Sequence, residues 1–133
     1  MKEENKKNVV GRWVKKAQED ELNANSILRH RDGTPGVVCF LAQQLPEKYL
    51  KVLLISFDLE VLKVHDLLWL ISTLEDKVPE IKILSNEVNL LNQFYIETRY
   101  VGDYPDFSWD DAKQAYEAAK KIKELVLNEI AEK

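Results

Sequence analysis

Cysteine is almost absent. Cys39 is the only one in 133 residues, so no internal disulfide can form and no cysteine cluster can hold zinc. Glycine and proline number four each, few for a loop-rich β-protein. The two histidines, His30 and His65, lie far apart and belong to no HxxxH or HExxH pair, which leaves no metal-ligand spacing. A Gly-rich phosphate loop is missing too. The strongest apolar run, Val52-Leu-Leu-Ile-Ser-Phe57, is far short of the ~20 residues of a membrane helix. Behind the first lysines there is no apolar stretch of the kind a secretory signal needs. Nor is positive charge in excess: 19 Lys plus Arg stand against 23 Asp plus Glu, a net charge of −4. That argues against a generally basic nucleic-acid coat and leaves room for a local patch. With 45% hydrophobic and 32% charged residues, the expectation is one folded, reduced, cytoplasmic domain over residues 1–133, with no cofactor and no membrane span.

What is present is helical spacing. Val10, Trp13, Val14, Ala17, Ala24, Ile27 and Leu28 form one stripe, predicting a helix from about residue 9 to 28. Val38, Leu41, Ala42, Leu45, Tyr49, Val52 and Leu53 predict a second from about 36 to 56. Pro46 should kink that helix, or else end it and start another. A short helix is read at 66–75, and a fourth after Pro79 through Ile81, Leu84, Val88, Leu91 and Tyr95. The last opens at Ser108-Trp-Asp-Asp111, close to a capping box, and carries Trp109, Ala112, Tyr116, Ala119, Ile122, Val126 and Ile130. Short connections between four long helices and one short one predict an all-α, antiparallel up-and-down bundle. Residues 49–57 and 67–71 are more apolar than one buried stripe requires. They are read either as central segments or as a self-association surface, and a homodimer is expected.

Several polar residues break the pattern. Asp20 occupies the apolar stripe itself and needs a donor or cation, for which Gln43, Gln44 and Lys48 are the partners in reach. It is either an inter-helix clamp or the acidic member of a site. Arg99 meets an aromatic loop in which Tyr95, Tyr100 and Tyr104 could stack on a base while the guanidinium binds phosphate; alternatively it caps helical carbonyls. His65 opens the third helix and reads as a packing or capping residue, and His30 reads as a solvated turn residue between Arg29 and Arg31. Lys2, Lys6, Lys7, Lys15 and Lys16 are interleaved with acids and read as a solvated face. Cys39 has no signature of a nucleophile.

Taken in order, Trp13-Val-Lys-Lys-Ala-Gln-Glu-Asp20, Cys39-Phe-Leu-Ala-Gln-Gln-Leu-Pro-Glu-Lys48, His65-Asp-Leu67, Phe94-Tyr-Ile-Glu-Thr-Arg-Tyr100, Gly102-Asp-Tyr-Pro105 and Asp111-Ala-Lys-Gln-Ala115 resemble a HEPN domain, the higher eukaryotes and prokaryotes nucleotide-binding family. The resemblance covers nearly the whole chain. It implies a helical bundle, usually dimeric, of the small prokaryotic kind often paired with a minimal nucleotidyltransferase in toxin–antitoxin modules. A similar bundle is the second domain of kanamycin nucleotidyltransferase, which implies nucleotide binding. On this reading Asp20, Gln44, Lys48, Arg99 and Tyr104 are the ligand-binding candidates. Arg99 and Lys48 would bind phosphate, Tyr104 a base, and Asp20 would orient them. Another branch of the family consists of metal-independent ribonucleases with an Arg-x4–6-His motif. Arg99 matches that arginine, but residues 100–106 contain no histidine and Tyr104 stands at the four-residue spacing. Tyrosine is a poor general base near neutral pH. The expectation is therefore a non-catalytic binding module. A ribonuclease using Arg99 with His65 or Tyr104 supplied from the partner subunit, and a purely structural helical dimer, are the alternatives.

Overall fold

In the computed structural model, residues 2–61, 63–94 and 106–131 are described. They are all-helical, with no strand among them. Helix α1 spans Glu3–His30, α2 Pro35–Ser56, α3 Leu67–Leu74, α4 Ser85–Asn92 and α5 Trp109–Ala131; a 3-10 turn, Pro79–Leu84, leads into α4.

Local chemistry explains most of the boundaries. Helix α1 begins about six residues ahead of its predicted start, with Glu3 and Glu4 in the first turn and Arg29 and His30 in the last, all favourable to the helix dipole. It ends at Arg31, whose left-handed φ of 57° lets its N–H reach the Ile27 carbonyl at 2.8 Å. Pro35 starts α2, where its missing N–H costs nothing. Asp66 caps α3 by accepting the Leu68 N–H at 3.0 Å. Its carboxylate also takes the Asn92 amide at 2.8 Å, while Asn92 Oδ1 accepts the Leu67 N–H, so the start of α3 is tied to the end of α4. The capping box at α5 forms as read: Ser108 N–H donates to Asp111 Oδ2 and Asp111 N–H to Ser108 Oγ, at 2.9 and 3.0 Å.

Two expectations about individual helices change. Helix α2 runs through Pro46 as one element, so the break-and-restart alternative does not occur; Pro46 is buried among neighbours that hold the helix on either side of the missing donor. The fourth long helix is not found among the described residues. After Pro79 the chain makes a 3-10 turn and then only the eight residues of α4, and the long helices there are three. The apolar rhythm persists because Ile81, Leu84, Val88 and Leu91 are all buried, whichever helical hydrogen-bonding pattern carries them.

Helix α2 is the centre of the molecule. It packs mainly on α1 and α5, and Val38, Cys39, Ala42, Leu45, Leu50, Val52, Leu53 and Leu54 are fully buried. That favours the central-segment reading of residues 49–57. Contacts give the directions. Lys6 pairs with Asp58 at 3.1 Å and Asp20 with Lys48, so α1 and α2 run oppositely. Glu21 meets Lys123 and Arg31 lies on Trp109, so α1 and α5 also run oppositely. Helices α2 and α5 therefore pack side by side in the same sense, so the expected antiparallel up-and-down bundle is not what forms: the long connection between them returns the chain to the end where α2 began. No described helix is long and apolar enough to cross a membrane.

Candidate functional site

The most apolar long helix carries an unbroken polar row. Gln43, Glu47 and Lys51 are spaced four apart, so they lie above one another on one face of α2. They are 0%, 4% and 4% exposed. Burying two charges is costly unless they are paired and hydrogen-bonded, and here they are. Lys51 Nζ donates to Glu47 Oε2 at 3.1 Å and lies 5.5 Å from the centroid of the Trp13 ring of α1. Glu47 in turn faces His65: its two oxygens are 3.1 and 3.2 Å from Nδ1. An ionised carboxylate only accepts, so Nδ1 carries the proton in this contact. Gln43 Nε2 donates to the His65 carbonyl at 3.0 Å and reaches Glu47 Oε1 at 3.5 Å. His65 is thus held at both its ring and its backbone, with 41% of its side chain exposed.

Beside this row, Lys48 donates to Asp20 across the α1–α2 seam, each side chain less than a fifth exposed. Asp20 therefore has the partner its place in the stripe demands. Gln44 does not serve Asp20: its amide donates to Gln43 Oε1 at 2.6 Å, because its place on the helix turns it toward that neighbour. His65 is not a cap; Asp66 takes that role and the histidine belongs to the Glu47 cluster. His30 lies in the last turn of α1 and donates from Nδ1 to the Ser26 carbonyl at 2.9 Å. Arg99 and Tyr104, with Tyr95 and Tyr100, lie outside the described residues.

A second polar knot sits where α1, α2 and α5 meet. Lys123 Nζ donates to Glu21 Oε1 at 2.7 Å. Burial works against the ammonium, but Glu21, by hydrogen bond and by charge, outweighs it and holds Lys123 above its usual range. Burial pushes the nearby Tyr49 and Tyr116 hydroxyls upward. Burial, followed by the charge of Asp111, pushes the Cys39 thiol up to about 11, which leaves it inert as a nucleophile near neutral pH. No group of three or more His, Cys, Asp or Glu side chains among the described residues is arranged to hold a metal.

The model of the HEPN domain matches residues 10–130, nearly the full length. The chain belongs to the HEPN domain family. Among solved structures, the crystal structure of ST0689, an archaeal HEPN homologue, is similar in fold: TM-score 0.70 at 24% identity, covering 91% of this chain and 97% of that one. The comparison with curated proteins found no match. The six ordered stretches that resemble the family therefore belong to a domain of that family. Within this HEPN domain, the residues that sequence reasoning passed over are Glu47 and Lys51. Their signal was available: Gln43, Glu47 and Lys51 recur every four residues along a helix otherwise destined for the core.

Proposed function

We propose that this HEPN domain is a dimeric, non-catalytic module that binds a nucleotide or a nucleotide-bearing partner, working with a minimal nucleotidyltransferase in a toxin–antitoxin-type pair. The observation that carries the reading is the polar row of α2. Its Gln43, Glu47 and Lys51 would be replaced at no loss by apolar residues if packing alone mattered, yet they stay polar beside Lys48 and Asp20. In this reading Lys48 and Arg99 contact phosphate, Tyr104 stacks on a base or donates its hydroxyl, Gln44 adds a hydrogen bond, and Asp20 orients Lys48. The exposed Leu68 and Trp69 of α3, 41% and 38% exposed, support association with a second copy.

Thermal denaturation tests it. A ligand present at 100 times its Kd stabilises a fold by ~2.7 kcal/mol, which for a domain of this size raises Tm by several degrees. ATP or another common nucleotide at millimolar concentration should do so, and Arg99→Ala should abolish the shift. The absence of a shift with every common nucleotide refutes direct binding.

The fixed imidazole of His65 favours one second reading, metal-independent RNA cleavage with Arg99 and either His65 or Tyr104. A carboxylate on Nδ1 orients the ring and leaves Nε2 as the basic nitrogen. Slow, EDTA-insensitive cleavage lost in Arg99→Ala and in either His65→Ala or Tyr104→Phe would establish it; intact RNA after prolonged incubation with micromolar protein eliminates it.

A further inference from the structure

Positive charge is unevenly distributed. Residues 2–16 hold six cations (Lys2, Lys6, Lys7, Arg12, Lys15 and Lys16) against two acids, Glu3 and Glu4, in a chain whose net charge is −4. Folding arranges part of this excess into a feature that a solvated face would not need. Asn5, Asn8, Val9, Arg12, Trp13 and Lys16 step three and four apart and form one continuous strip along α1. Two shallow concavities run end to end on it. One, of about 680 Å³, is lined by Asn5, Asn8, Val9 and Arg12; the other, of about 240 Å³, by Val9, Arg12, Trp13 and Lys16. The partly exposed Trp13 lies between two exposed cations, and the buried Lys51 sits against its ring. Lys6 is committed to Asp58, and Lys16 meets the exposed Glu19 at 3.6 Å, an ion pair that phosphate can displace.

We infer that the Asn5–Lys16 strip of α1 binds single-stranded nucleic acid, with Arg12 and Lys16 on successive phosphates and a base against Trp13. The ~6 Å between side chains four apart on a helix is of the order of the step between neighbouring backbone phosphates. An aromatic face between cations is the arrangement that sequence-tolerant strand binding requires. A membrane surface fits less well, because the strip offers only Val9 and Trp13 as apolar groups to insert. The inference goes beyond the nucleotide-binding reading: it concerns a different surface, and the two fail separately.

The test uses the full chain and a fluorescein-labelled oligouridylate of about twelve nucleotides, within the span of one strand-binding domain, followed by anisotropy across a salt series. Removing two phosphate contacts lowers the slope of log K on log salt by ~1.4, equivalent to about 25-fold weaker binding at ~0.1 M salt. Arg12→Gln/Lys16→Gln, both at exposed positions, should show that loss with an unchanged circular dichroism spectrum. Quenching of tryptophan emission by the oligonucleotide should disappear in Trp13→Phe, which retains Trp69 and Trp109. Unchanged affinity and slope in the double variant overturn the inference, as does failure of the wild type to bind at ~0.05 M salt. Capture of polyglutamate or of phosphatidylserine-containing vesicles in place of the oligonucleotide overturns it in favour of a protein or membrane ligand. The nucleotide-induced Tm shift, measured on the same double variant, should persist; its loss in wild type with strand binding intact refutes only the nucleotide reading.

Discussion

Substituting Glu47 with glutamine keeps the side chain's shape and removes its charge, which isolates what the buried ion pair does. The partner, Lys51, is 4% exposed and its ammonium is 3.1 Å from the Glu47 carboxylate. Without that carboxylate the cation has the Trp13 ring at 5.5 Å, a contact worth ~2 kcal/mol or more when desolvated that the ring already makes beside the intact pair. The general cost of leaving one member of a buried pair uncompensated is ~3–5 kcal/mol. At ~2.1 cal/mol/K of unfolding entropy per residue, that corresponds to a fall in Tm of roughly 10–18 °C for this chain length. Lys51→Met, which strands Glu47 instead, should cost less, since His65 still contacts the carboxylate. The double variant Glu47→Gln/Lys51→Met removes both charges, so neither is left buried without its partner. It should therefore recover most of the loss, giving a coupling of at least ~2 kcal/mol in a double-mutant cycle. Urea denaturation followed by circular dichroism at 222 nm supplies the three differences, with equal m-values confirming a common unfolding reaction. Single variants that cost less than ~1 kcal/mol, or a double variant as unstable as the sum of the two, would refute the claim that this pair is buried and interdependent.

Other consequences are open to measurement. Because the folded Cys39 thiol is pushed up to about 11 while an unfolded one ionises near ~8.5, its contribution is whole below that value. It is then lost at up to ~1.4 kcal/mol per pH unit as pH rises toward 11; Tyr49, Tyr116 and Lys123, all raised, act in the same direction. Denaturation midpoints between pH 8 and 10.5 should fall accordingly, and a flat profile contradicts the burial. Ser108→Ala removes one half of a capping box and should cost ~1 kcal/mol, read by the same unfolding assay. Leu68→Glu/Trp69→Glu should turn a dimer into a monomer in sedimentation velocity while leaving helicity intact; an unchanged sedimentation coefficient moves the contact elsewhere.

Much of this protein was legible from residue order. The period of apolar side chains specifies helices because a core-facing stripe must recur every three or four positions, and it placed α2, α3 and α5 to within a residue or two. The Ser108–Asp111 box and the Asp20 demand for a partner are likewise local statements, and both are met by the residues read for them, Lys48 in the second case. Periodicity alone did not distinguish a long fourth helix from a 3-10 turn followed by a short one, since both bury Ile81, Leu84, Val88 and Leu91. Nor did it show that α2 lies between α1 and α5, the latter beside it in the same sense, because which stripe covers which depends on how loops return the chain. The cluster of Glu47, Lys51, Gln43 and His65 was decided at that level. A polar row four apart is visible in the sequence, but its burial, and the histidine carried back to it from beyond the end of the helix, exist only once other elements close around α2 and exclude the water that would otherwise have solvated those charges.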